Sequence, residues 1–241
     1  VLEPLRVAVA QPAVIHGDLL ATAAAHADAV RQAAARLVVF PELSLTGYVL
    51  DAPTVALDDP AWDELVAACA EHGTTALVGA PVAGDDGEGR AIGVVAVDGS
   101  GVRVIYRKAH LYGEELDAFT AGPGATVVEV GGWRVGLAVC RDTGIAEHTA
   151  ATAALGVDLY AAGVVDLPEA LTVIRSRAVT NARACGAPVA VASAAGPVGE
   201  RFGFPQTAGG SAVHDADGAL LAAAGAEPGE LVVVDLEPPR G

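Results

Sequence analysis

The chain contains a single lysine, at position 108, set against thirteen arginines in 241 residues. It is equally poor in aromatic residues, at 4%, so the 52% that is hydrophobic must build its core from Ala, Val and Leu. It lacks any run of about 18 uninterrupted apolar residues, the minimum for a membrane span. The longest uncharged stretch, after Arg183, is broken by Gly186, Pro188, Gly196 and Pro197. The first residues have neither the basic nor the apolar region of a secretory signal. A strand-like run begins almost at once, so little is expected to precede it, and a cytoplasmic location is expected. The cysteines, Cys69, Cys140 and Cys185, are odd in number and form no CxxC, and the six histidines form neither HxH nor HExxH. A disulfide framework and a zinc site are therefore unsupported. Basic surplus is missing too: a net charge of −16, spread over 30 scattered acids, excludes a nucleic-acid groove and predicts solubility.

What is present reads as one α/β unit over residues 1–241. Leu5 to Ala10 and Leu37 to Phe40 are short buried strands around an Ala-rich helix capped by Asp18 and ending near Arg36. Trp62, Leu65, Val66 and Cys69 recur at helical spacing, so Pro60 to His72 is an amphipathic helix with Cys69 in the core. Thr75 to Pro81 is a strand, and Asp85 to Gly89 a polar, Gly-rich loop. Three hairpins follow from turn chemistry: Ala91–Val97 with Val102–Tyr106, Thr126–Val130 with Trp133–Val139, and Ser211–His214 with Ala219–Ala223. Helices are expected over Ala146 to Leu155 and from Pro168 to Cys185. Further strands are expected over Val157 to Ala161, Ala187 to Ser193 and Glu230 to Leu236. Hairpins interrupting the alternation of helix and strand imply mixed sheets with helices outside, not a purely parallel sheet. No repeat of 20–50 residues is evident.

Three polar residues stand where buried strands run out, and that is where function concentrates. Glu42 follows Leu37-Val38-Val39-Phe40-Pro41, and low-dielectric surroundings there would raise its pKa toward that of a general base. Lys108 follows the strand ending Tyr106-Arg107. Arg serves this sequence wherever a generic positive charge suffices, so one retained compact ammonium points to a specific task such as oxyanion stabilisation. Cys140 ends the apolar run Val135 to Val139 and precedes Arg141 and Asp142, the layout of a nucleophile elbow whose turn exposes the sulfur. Base, cation and nucleophile together make an acyl-transfer set.

At these places the sequence resembles the nitrilase superfamily of carbon–nitrogen hydrolases. The matching segments are Phe40-Pro41-Glu42, Tyr106-Arg107-Lys108-Ala109-His110-Leu111, and Gly136 through Asp142 with Cys140. Glu115 with Phe119 and Gly122, Glu147, Arg177-Ala178 with Asn181, Gly209-Gly210-Ser211 and Asp217-Gly218 fit as well. The resemblance implies an α-β-β-α sandwich of two mixed sheets and a Glu42–Lys108–Cys140 triad supported by Glu115. It also implies no metal or cofactor, and a homodimer or larger assembly. The sequence departs from the family pattern at Arg141, where an aromatic residue is usual, at Ala146, where Pro is usual, and at Thr180, where Glu is usual.

The expected reaction is hydrolysis of a small amide through a thioester on Cys140. Lys108 and the N–H of Arg141 would hold the oxyanion, and Tyr48 would line the pocket. A nitrile or an N-carbamoyl amine would suit the same triad. Arg141 could bind a substrate carboxylate or pair with Asp142 or Glu147. A papain-like pair of Cys140 with His110 or His148, or a catalytically silent scaffold on this fold, are the other readings. A serine amidase built on Ser211 would want a second lysine, which the chain does not have.

Overall fold

Alternating side chains set the layering. Along Leu5–Ala10, Leu5, Val7 and Val9 enter one buried cluster while Ala8 and Ala10 enter another. Leu37–Val39 does the same, with Leu37 and Val39 on the first side and Val38 on the second. Strands buried on both faces require a packed layer on each side. The computed structural model, which describes residues 2–85 and 87–239, has those layers.

The chain runs β1 (Leu5–Ala10), α1 (Leu19–Ala33), β2 (Leu37–Val39), α2 (Asp63–His72), β3 (Thr75–Ala83), β4 (Arg90–Asp98), β5 (Gly101–Arg107), α3 (Glu115–Ala118), β6 (Val127–Val130), β7 (Trp133–Val139), α4 (Ala146–Ala154), β8 (Leu159–Val164), α5 (Leu171–Cys185), β9 (Val189–Ser193), β10 (Ala212–His214), β11 (Leu220–Ala223) and β12 (Leu231–Leu236). Two six-stranded sheets result, ordered β12-β1-β2-β3-β4-β5 and β11-β10-β9-β8-β7-β6. Both are mixed, and both pair in the same succession. From β12 to β5 the neighbours are antiparallel, parallel, parallel, antiparallel, antiparallel. From β6 to β11 that succession repeats. The path β1-α1-β2-α2-β3-β4-β5 is thus retraced by β7-α4-β8-α5-β9-β10-β11. Cys140 directly follows β7, and Glu42 and Asp166 stand beyond the equivalent strands β2 and β8.

The sheets face each other across a core holding Leu37, Leu77, Trp133, Leu137 and Leu159. Helices α1 and α2 cover the first sheet through Ala23, Ala27, Val30, Leu65 and Cys69. Helix α5 covers the second through Ile174, Ala178 and Ala182, beside α4. This is the α-β-β-α sandwich expected from the sequence.

Local chemistry explains the boundaries. Asp18 caps α1 by accepting from the Ala21 N–H at 2.9 Å. Pro60 and Pro168 each open a short 3₁₀ turn, Pro60–Trp62 and Pro168–Ala170, before the α-helix proper. Strand β8 begins two residues later than the expected Val157, which instead packs on Gly136, where a Cβ would lie 2.8 Å from the Val157 side chain. The four-residue α3 was not anticipated, being too short to show periodicity. The polar, Gly-rich connection at 85–89 joins β3 to β4; its Asp86 lies outside the described residues. Among the described residues no helix is long and apolar enough to cross a membrane.

Candidate active site

Glu42 sits where β2 has run out, and its backbone is gripped from both sheets. A Cβ added to Gly163 of β8 would stand 2.6 Å from the Phe40 carbonyl oxygen and 2.8 Å from the Glu42 nitrogen. One added to Gly79 of β3 would stand 2.5 Å from the Leu43 nitrogen. Only glycine permits this approach. Leu43 takes the left-handed conformation, φ 48°, which turns the chain sharply after the carboxylate. The next residue is anchored too: the Ser44 hydroxyl donates to His26 Nε2 at 2.9 Å while His26 Nδ1 donates to the Thr22 carbonyl at 2.8 Å. Burial lowers the His26 pKa to about 4, so this ring is neutral.

Lys108 directly follows β5 and extends it, donating its backbone N–H to the Ile92 carbonyl at 2.8 Å. Its ammonium donates to Glu42 Oε1 and to Glu115 Oε1, both at 2.7 Å. The lysine is 1% exposed and the two glutamates 2% each. Burial pulls the Lys108 pKa down, but the neighbouring Glu42 and Glu115 carboxylates outweigh it and hold the value well above the ordinary one, so the ammonium stays charged. Glu115 is fully engaged: its Oε1 also accepts from the Tyr48 hydroxyl at 2.7 Å, and its Oε2 from the Tyr112 N–H at 2.9 Å. Tyr48, which fixes Glu115 in this way, is one of the residues around the cavity beside Cys140.

Glu42 is differently placed. Its Oε2 has no hydrogen-bond partner among the described residues. Burial pushes its pKa up, Lys108 opposes and Glu115 adds to the rise, leaving it at about 7. A carboxylate poised there exchanges protons readily near neutrality.

Cys140 begins the 3₁₀ turn Cys140–Gly144 straight out of β7, with φ 43°. A non-glycine residue in this region is strained by about 1–3 kcal/mol and needs surrounding structure to hold it. Asp142 supplies it. This fully buried carboxylate accepts from the Val139 N–H at 3.0 Å and the Tyr106 hydroxyl at 2.8 Å through Oδ2. Its Oδ1 accepts from the His110 N–H at 2.9 Å and from His110 Nδ1 at 2.8 Å. From the other side Asn181 of α5 donates to the Thr143 carbonyl at 3.0 Å, and Thr143 donates to the Cys140 carbonyl at 2.6 Å. The Cys140 thiol contacts the Val165 carbonyl at 3.4 Å. Burial and the neighbouring Glu42 carboxylate push the thiol pKa up while Lys108 opposes, so the resting sulfur is protonated and needs a base.

Sulfur, carboxylate and ammonium line one cavity of about 290 Å³, walled also by Tyr48, Tyr112, Glu115, Arg141, Val165, Asp166, Arg177 and Phe204. The sequence reading gave Arg141 two candidate protein partners, and the structure uses neither. Asp142 is saturated by Val139, Tyr106 and His110, and among the described residues Arg141 makes no ion pair with Glu147. The exposed Arg141 guanidinium lies instead over the Tyr112 ring, 4.8 Å from its centroid. Asp166, Phe204, Tyr112 and the pocket position of Arg177 were not foreseen from the sequence. His110 and His148 are not among the cavity's walls; His148 Nε2 faces the Leu137 carbonyl at 3.2 Å. Ser211 is buried, holding Ser193 through both backbone groups. Ala146 and Thr180 border a separate groove between α4 and α5.

The geometry offers a protonated thiol, a carboxylate able to take its proton, and a fixed cation beside both, which is equipment for attack on a carbonyl or nitrile carbon. Comparison with known proteins finds hydrolases and an amidase similar to this chain. A hydrolase of Pseudomonas protegens is 32% identical over 142 residues, 56% of this chain and 50% of that one, so the match spans half the relative's length. A hydrolase of Mycobacterium tuberculosis is 30% identical over 238 residues, covering 88% of this chain and 81% of that one. The solved amidase of Nesterenkonia, from the nitrilase superfamily, superposes with a TM-score of 0.81 at 29% identity, over 98% of this chain and 92% of that one. The description of carbon-nitrogen hydrolases matches residues 6–240, and the chain belongs to that family as a carbon–nitrogen hydrolase of the nitrilase superfamily.

Proposed function

We propose that a single catalytic unit over residues 1–241 hydrolyses the C–N bond of a small amide through a thioester on Cys140. The observation that carries this is the Lys108 ammonium, held at 2.7 Å from both Glu42 and Glu115 within the cavity that Cys140 opens into. The Nesterenkonia amidase supports the substrate class, having been solved with butyramide and with covalent addition of an acetamide moiety at its active-site cysteine.

Glu42 takes the thiol proton through its unpartnered Oε2, and the thiolate attacks the amide carbon. Negative charge grows on the carbonyl oxygen, where the Lys108 ammonium and the N–H of Arg141 stabilise it. The first N–H groups of a helical turn have no partner within the turn, which leaves that of Arg141 free for this role. Glu42 returns the proton to the departing nitrogen, and ammonia or an amine leaves. Water, deprotonated by Glu42, then attacks the thioester; the carboxylic acid is released and the thiol regains its proton. Glu115 holds the ammonium in place and keeps it charged. No step calls on a metal or cofactor. Assembly as a homodimer or larger oligomer is proposed through the α4–α5 face, where Ala146, Ala150, Ala153, Thr180 and Ala184 line a groove together with Ile145 and Arg177.

The test is ammonia release from a panel of short amides, carbamoyl amines and nitriles, run beside Cys140→Ala and Glu42→Gln. Turnover on amides that both variants lose supports the reading. Turnover that survives in Cys140→Ala, or silence of the parent protein across the panel, contradicts it.

A further inference from the structure

Two arginines at the mouth of the cavity are left without partners. Most other arginines are engaged: Arg31 pairs with Glu64 at 3.0 Å, Arg107 with Asp85 at 2.9 Å, and Arg134 donates to the Gly156 carbonyl at 2.9 Å, whereas Arg175, which does not wall the cavity, keeps an unpartnered Nε. Arg141 and Arg177 make no hydrogen bond or ion pair among the described residues, yet both wall the cavity that holds Cys140. In a chain of net charge −16, these two guanidiniums bring the charged walls of the cavity, Glu42, Glu115 and Asp166 against Lys108, Arg141 and Arg177, into formal balance.

Each is held in place by something other than an acid. The Arg141 guanidinium rests on the face of Tyr112. That of Arg177 lies across Gly144, where a Cβ would stand 2.9 Å from its Nε and 3.0 Å from its Cζ. Gly144 is therefore the position that lets Arg177 cross the turn after the nucleophile. At the deep end of the cavity the cation, Lys108, is already claimed by Glu42 and Glu115. An anionic group of the substrate has its favourable place at the mouth, a few bonds from the carbon that Cys140 attacks. Asp166 faces the same space and feels the charge of Arg177, but no ion pair joins them, so it offsets only part of the positive charge.

We infer that the preferred substrate is an amide whose acyl portion ends in a carboxylate, gripped by Arg141 and Arg177. This rests on the hydrolase reading above and narrows its substrate class. Planar guanidinium donors match a carboxylate in a forked, charge-assisted geometry that a neutral alkyl end cannot use. Water adds across the C–N bond, ammonia leaves, and a dicarboxylate is the product.

The experiment compares succinamate with butyramide, in which a methyl group replaces the carboxylate. The ratio of their kcat/KM values is measured in the parent protein and in Arg141→Gln, Arg177→Gln and Asp166→Asn. Binding of both amides to Cys140→Ala is measured by calorimetry. The expected result is a ratio well above one, falling about tenfold with each arginine change and rising with Asp166→Asn. Arg141→Lys keeps part of the preference that Arg141→Gln loses. Hydrolysis of butyramide at least as fast as succinamate, with a ratio that the variants do not move, overturns the inference while leaving the Cys140 mechanism standing. If neither amide turns over, the mechanism is judged on the wider panel above and the calorimetry decides the inference: succinamate binding to Cys140→Ala that is weakened by adding the arginine changes upholds the anion site, and no binding ends it.

Discussion

Asp142 Oδ1 accepts two hydrogen bonds from His110, one from its backbone N–H at 2.9 Å and one from its ring at 2.8 Å. Because Oδ2 simultaneously holds Val139 and Tyr106, one buried carboxylate ties the turn that presents Cys140 to the strand end that presents Lys108. Nucleophile and cation come from different sheets, and Asp142 is the polar joint between them.

Replacing Asp142 by Asn exchanges one charged acceptor oxygen for a donor group in a place that supplies only donors. The expected loss of stability is about 2–4 kcal/mol, and activity should fall with it. Thermal unfolding together with kcat checks this. His110→Ala removes one bond of the four and should lower activity by much less than Cys140→Ala; equal losses would favour a Cys–His pair.

Lys108→Ala removes the cation facing the developing oxyanion and should cost about a hundredfold or more in kcat/KM. Lys108→Arg should recover little of it, since a planar fork cannot take the place of a compact ammonium held at 2.7 Å by two carboxylates. Steady-state kinetics on one amide measures both.

Glu42 titrates at about 7, raised by burial, and works as a base only when ionised. kcat/KM should therefore rise with pH through that region and flatten above it. Stability runs the other way. A carboxyl whose folded pKa lies above its unfolded one stabilises the protein below the unfolded value, and that contribution is lost as pH rises through about 7. Glu42→Gln should thus gain stability relative to the parent between pH 5 and pH 8, measured by chemical denaturation.

Gly163→Ala places a methyl group 2.6 Å from the Phe40 carbonyl and 2.8 Å from the Glu42 nitrogen. The backbone of Glu42 must move. Catalysis depends on sub-ångström placement, so kcat should drop by about tenfold or more. Circular dichroism beside kcat separates displacement from unfolding.

The strands and the three reactive residues were legible because their signals are local: a buried run, then one polar residue. The lone Lys108 was legible through what the rest of the sequence avoids. Asp142 was not, because its importance lies in four donors that reach it from Val139, Tyr106 and His110. Nor was the fixing of Glu115 by Tyr48, which joins residues 67 positions apart. The retraced strand order left no trace in the sequence, since topology can repeat where side chains do not. Arg177 and Asp166 escaped as cavity walls because only the packing of α5 against the turn after Cys140 brings them there.

The central claim is most directly tested by intact mass and peptide mapping of the protein quenched in acid during turnover of an amide. The account predicts an added acyl group on the peptide containing Cys140, absent from Cys140→Ala. Steady turnover with an unmodified Cys140, or an adduct on any other residue, contradicts it.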